Sequence, residues 1–182
     1  MQKTGLILPY RGMTPKFGKD VFIAPTATII GDVEIGDGSG IWFQCTARGD
    51  INHIRIGKRV NIQDGTVIHV DSGKFPAVIG DDVTVGHMAL IHACTIEDGA
   101  FVGMHSTVMD GTVVEKGALI AAGSLLPPGK RVPAGEVWAG RPAKFLRRVG
   151  EKDLTMMKRI APGYVELAKS YLVEGIGVVQ ET

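Results

Sequence analysis

Residues 96–132 read IEDGAFVGMHSTVMDGTVVEKGALIAAGSLLPPGKRV, with an aliphatic residue at every sixth position: Ile96, Val102, Val108, Val114, Ile120, Leu126 and Val132. Glycine follows three residues after these at 99, 111, 117, 123, 129 and 135, interrupted only by His105. The next position is small, as at Ala100, Ser106, Thr112, Ala118 and Ser124. A period of six is neither helical nor that of a flat strand. It suits a short strand followed by a corner, where glycine accepts a positive φ and a small side chain fits the bend. One such unit cannot bury its aliphatic side alone, so the units must stack into a solenoid around a ladder of Ile and Val.

Toward the N-terminus the same step recurs at Ile23, Ile29, Ile35 and Ile41, then at Ile56, Ile62 and Ile68, and again at Ile79, Val85 and Ile91. Three breaks of phase separate the runs, too few for chance spacing in an ordinary β-sandwich. The 25 glycines of the 182 residues answer this recurrent need and form no low-complexity tract. The pattern resembles the left-handed β-helix superfamily of hexapeptide-repeat proteins, in which three hexapeptides make one coil of a triangular prism. The fold class expected is therefore an all-β solenoid, a left-handed parallel β-helix with a C-terminal α-helix. WAGRPAKFLRR at 138–148 resembles the G-x-P-A-K segment by which that superfamily leaves the prism. Beyond it Leu154, Met157, Ile160, Tyr164, Leu167, Ala168, Tyr171 and Leu172 recur at helical spacing, broken by Pro162 and Gly163. The chain thus divides into a lead-in at 1–20, a β-helix domain at 21–140, and an exit segment with a helix packed on the prism at 141–182.

Lys and Arg number 20 against 19 Asp and Glu, and a net charge of +1 gives no electrostatic reason to expect nucleic acid or a membrane as partner. The opening MQKTGLILPYRG is too short in its apolar part for a signal peptide or a membrane span, so the expected location is cytoplasmic. Cys45 and Cys94 lie in patterned apolar segments without CxxC spacing and read as buried thiols.

VGHMALIHACTI at 85–96 places His87 and His92 five residues apart, which puts them on one face of neither a strand nor a helix. Folding the repeat relates His92 to a different residue. His69 and His92 each follow a core aliphatic, Ile68 and Ile91, and stand 23 residues apart: one coil of eighteen plus five residues extruded around DSGKF. They therefore occupy equivalent sites on successive coils, about 4.7 to 4.9 Å apart, where two imidazoles can share a metal. His87 cannot reach that metal within its own chain, but in a threefold homotrimer of parallel prisms it could complete a neighbour's site.

This constellation, with NIQDGTVIH at 61–69, resembles the metal-binding core of the gamma-class carbonic anhydrases. The resemblance implies a homotrimer with a zinc at each interface, held by His69 and His92 of one subunit and His87 of the next, that hydrates carbon dioxide to bicarbonate. It further implies that Arg48 and Asp50 make ion pairs across the interface, in assembly or in catalysis. The same resemblance implies Gln63 beside the water on the metal, Asp64 against the interface arginine, and Tyr164 over the site. Imidazole ligands suit Fe2+ or Co2+ as well as Zn2+. His53 and His105 match no such position. The family's acidic loops are missing, since VDSGKFPAV carries one Asp, so a weakly active or inactive metal-bearing scaffold is the alternative. A hexapeptide acyltransferase is a further one, disfavoured because the long loop bearing the base in those enzymes is absent.

Overall fold

The computed structural model describes residues 3–177 and winds the six-residue units into a left-handed parallel β-helix of about seven coils. Three ladders of side chains fill the prism. Ile23, Ile41, Ile62, Val85, Val102 and Ile120 stack along one face by parallel pairing. Ile29, Ala47, Ile68, Ile91, Val108 and Leu126 stack along a second. Ile35, Ile56, Ile79, Ile96, Val114 and Val132 stack along the third. None of these is more than 4% exposed, and burying each full-sized side chain is worth about 1.5–3 kcal/mol. The hexapeptide solenoid expected from the sequence is thus the fold observed. At the corners Gly117 has a φ of 65°, and His105, which interrupts the glycine series, adopts the same left-handed conformation at 60°.

Two of the three breaks of phase are where the chain leaves the prism; the third, from Ile91 to Ile96, is a corner one residue short, with Ala93 at a φ of 48°. In the strands Thr28–Ile35 and Thr46–Ile56, Gly31 pairs with Gly49 but Val33 pairs with Ile54, so three extra residues bulge out beside Asp50. A second excursion, residues 71–76, separates the strands Val67–His69 and Ala77–Ile79. Its neck is tied by the Asp71 N–H donating to the Phe75 carbonyl at 3.1 Å. Parallel pairing begins before the glycine period does: Leu6–Leu8 and Lys16–Phe17 both pair with Thr28–Ile35.

The far end is closed by a hairpin of Glu136–Gly140 and Ala143–Arg148, the only antiparallel pair of strands among the described residues. The helix Glu151–Val173 then runs back along the prism, continuous through Pro162. Its N-terminus is secured by Asp153, which accepts the Gly150 N–H at 2.8 Å and pairs with Arg147. The Arg147 bond, with that backbone bond, holds the Asp153 carboxyl down to about 2. Ala161 and Ala168 are buried against the prism, and Tyr164 and Tyr171 pack edge-to-face against Trp42. Leu154 and Leu167, expected on the apolar stripe, are each 43% exposed. Leu167 lies one helical step, about 100°, from Ala168, and near Leu154 a groove separates the first turns from the sheet. No helix among the described residues is long and apolar enough to cross a membrane.

Candidate metal centre

Strand register pairs His69 directly with His92, as it pairs Ile68 with Ile91. Each histidine follows an inward aliphatic and so points outward; the ring centroids are 5.2 Å apart. His69 Nδ1 and His92 Nε2 face one another at 3.2 Å. The other nitrogen of each ring meets a carboxylate. His69 Nε2 is 3.0 Å from Asp50 Oδ1, and His92 Nδ1 is 2.6 Å from Asp110 Oδ1. An ionised carboxylate only accepts, so in neutral rings these outer nitrogens carry the hydrogens. The inner nitrogens then present lone pairs to each other, and neither can bond to the other. Two nitrogens about 2.0–2.1 Å from one ion at the tetrahedral angle stand about 3.3 Å apart. The pair therefore fits two ligands of a single metal.

Asp50, His69, His92 and Asp110 form a column along the prism axis. Burial raises the Asp50 carboxyl, but the bonds from His69 and Arg48 outweigh it and hold the group below the ordinary carboxylate range. Arg48, expected to reach across an interface, pairs within the chain with Asp50. Asp110 escaped the sequence reading because the five-residue step after Ile91 shortens this coil: Ile91 pairs with Val108, so Met109 stands one coil beyond His92 and Asp110 one residue past it.

His87 lies at a different corner. Its Nδ1 is 2.8 Å from Asp64 Oδ2, and its backbone N–H donates to Gln63 Oε1 at 3.2 Å. The side chain is 37% exposed, and its Nε2 has no partner among the described residues. Within the chain, Asp64 thus engages His87. Among the described residues no three His, Cys, Asp or Glu side chains are grouped to hold a metal. One chain brings together His69 and His92, but not His87. Cys45 and Cys94 are buried and free, and burial pushes both thiols up to about 12, which leaves them poor ligands.

Tyr164, Gln63, His87, Met104, Leu119 and Met156 line a groove of about 450 Å³ between helix and prism. Burial, and then the nearby Asp64 charge, raises the Tyr164 phenol above its usual range. Asn61, two residues before Gln63 and so on the same side of the chain, is 1% exposed with neither carboxamide atom bonded. Such a group costs about 1–3 kcal/mol, and no pattern in the sequence marked it. Around the histidines the surface is apolar: Val67, Met88, Leu90 and Met104 are 40, 63, 36 and 54% exposed.

No family model matches the chain. Gamma carbonic anhydrase 2, mitochondrial, of Arabidopsis thaliana is 52% identical over 166 residues, covering 88% of this chain; the chain spans 60% of the length of that plant relative. A carbonic anhydrase of Geobacillus kaustophilus is 46% identical over 166 residues, 91% of each chain. Among solved structures, a hexapeptide transferase family protein from Anaplasma phagocytophilum has a TM-score of 0.88 at 46% identity, over 94% of this chain and 99% of that one. With near-complete coverage in both directions and the hexapeptide solenoid as common frame, the chain belongs to the gamma carbonic anhydrase family.

Proposed function

We propose that three copies of this chain assemble as parallel prisms, and that His69 and His92 of one subunit with His87 of the next hold a zinc ion serving the reversible hydration of carbon dioxide. The observation that carries this reading is the 3.2 Å approach of two ring nitrogens, each turned toward the other by a carboxylate behind it. The exposed apolar residues beside all three histidines favour a covering neighbour. Three imidazoles with an open fourth position suit zinc in a catalytic role, although Fe2+ or Co2+ would accept the same ligands.

The chemistry zinc supplies is acidification of water, from a pKa of 15.7 to about 7, which makes hydroxide available at neutral pH. The chain's own residues do the remainder. Asp50, Asp110 and Asp64 fix the orientation of His69, His92 and His87 and leave one nitrogen of each free. Gln63 has committed its Oε1 to the His87 backbone and keeps both Nε2 hydrogens to donate to an oxygen at the site. Tyr164, with its phenol held protonated, is a second donor over the groove. Met104, Leu119 and Met156 give carbon dioxide an apolar approach that excludes water. Arg48, 43% exposed in its side chain and paired with Asp50 within the chain, keeps donors free for an acidic group of the neighbouring subunit.

Light scattering is expected to report three chains, and metal analysis about one zinc per chain. Hydration that stops on chelation and returns with zinc would support the enzyme. One observation favours a second reading. The excursion at 71–76 carries Asp71 as its single acidic residue, so proton export is poorly served, and metal without hydration would assign a scaffold of the same family. Acetyl transfer from acetyl-CoA by metal-free protein would defeat both readings. Asp110→Ala separates ligand positioning from ligation: it removes the acceptor behind His92 Nδ1 without touching a ligand. Zinc affinity should fall about 10–100-fold, read by competition with a chelating dye. Unchanged affinity would remove Asp110 from the site.

A further inference from the structure

In a solenoid, sequence position is height along the axis, and charge is unevenly distributed over it. Up to residue 115 the chain carries nine Lys and Arg against thirteen Asp and Glu, whereas from 116 to 150, before the helix turns back along the prism, there are seven against one. The net charge of +1 thus conceals an acidic start and a basic end. At the basic end the strand Ala143–Arg148 pairs with Glu136–Gly140 on one side and leaves its other edge open. Every residue from Lys144 to Arg148 is exposed, Phe145 at 53% and Leu146 at 58%. Arg147 and Arg148 are engaged by Asp153 and Glu136, whereas Lys130, Arg141, Lys144 and Lys152 have no acidic partner among the described residues.

We propose that this end of the prism docks on an anionic lipid surface, with Phe145 and Leu146 entering the headgroup region and Lys130, Arg141, Lys144 and Lys152 facing the lipid phosphates. An amphipathic patch of this kind binds through apolar burial and anionic headgroups together. Self-association through the open edge is opposed, because it would set Lys144, Arg147 and Arg148 among the same cations of a second copy. A nucleic acid or an acidic peptide would match the cations but leave the apolar pair unused. An extended anionic plane also acts on the whole axial separation of charge, attracting the basic end and repelling the acidic one, which stands the prism upright. The inference goes beyond the proposed activity and rests on the proposed trimer only for the number of patches: three parallel prisms present three such ends in one plane, multiplying the binding.

The test is co-sedimentation with vesicles of phosphatidylcholine alone, or mixed with phosphatidylserine, at low salt. Wild type is expected to sediment with the mixed vesicles only. Each cation contributes about fivefold, so Arg141→Glu combined with Lys144→Glu should reduce partitioning by about twentyfold or more. Phe145→Ser with Leu146→Ser should weaken it while leaving the salt dependence in place. Circular dichroism and light scattering on each variant report fold and chain count, so a binding monomer would refute the trimer and keep the docking surface. Absence of wild type from the mixed vesicles, or equal partitioning of the charge-reversed variant, would overturn the proposal. Retention on immobilised polyglutamate without vesicle binding would likewise overturn it, assigning the surface to an acidic protein.

Discussion

Equal co-expression of chains carrying His87→Ala and chains carrying His92→Ala will restore about a quarter of wild-type carbon dioxide hydration, although neither variant alone hydrates measurably. The expectation follows from dividing each site between two subunits. A His87→Ala chain keeps the His69 and His92 pair, and a His92→Ala chain keeps the His87 that a neighbour lacks. Of eight equally weighted arrangements in a ring of three, six are mixed, and each mixed ring has one intact interface, so about one site in four is complete. Zinc content should follow the same count. His53→Ala and His105→Ala serve as controls and should retain full activity. If mixing restores nothing while each variant still forms trimers, the assignment of His87 to the neighbouring subunit fails. If His87→Ala alone keeps its zinc and its activity, the third ligand must be sought elsewhere.

Gly86→Ala should destabilise the fold by about 3 kcal/mol or more, because the added methyl overpacks a site that has no room to adjust. A Cβ at Gly86 would stand 2.5 Å from the Met104 backbone nitrogen of the next coil. The obstacle is main chain, held by a rung in which the Gly86 N–H donates to Val102 at 2.8 Å, so no rotamer change relieves it. Gly99 provides the contrast. It has a φ of 64° but nothing within 4 Å of its virtual Cβ, so Gly99→Ala should cost only about 1–2 kcal/mol, the penalty of the left-handed conformation. Urea midpoints at constant slope would measure both. Since His87 follows Gly86 directly, the variant should also lose zinc. Similar midpoints for the two variants would show that the coils can separate, contrary to the packing described.

These contrasts mark what could be read from the chain before folding it. The aliphatic step from Ile96 to Val132 specified the prism because a solenoid repeats one local problem, and the repeat is visible wherever the coil is eighteen residues long. The lateral pairing of His69 with His92 followed from counting the five extra residues between them. The first turn was not legible: Ile7 pairs with Ile29, but the left-handed glycine that follows, Gly12, lies five residues on instead of three and so falls outside the period. Nor was the carboxylate behind each imidazole. Asp50 reaches His69 only because three residues bulge beside it, and which way a side chain leaves such a bulge depends on contacts across coils. Asn61 shows a different limit, since burial without partners is a property of the surroundings and not of the residue type.

The excursion at residues 71–76 separates the two paired histidines along the chain but not in space. Strand register, not contour length, sets the distance from His69 to His92. The segment therefore works as a socket: its tip at 72–74 is exposed, its neck is clamped by the Asp71 to Phe75 bond, and doubling its length would cost only about 0.6 kcal/mol of closure entropy. Descent with modification, or a protein engineer, can exchange what is mounted there without retuning the imidazoles below. A grafted segment bearing one or two carboxylates is then a modular upgrade, adding a proton carrier beside a centre whose alignment it leaves alone.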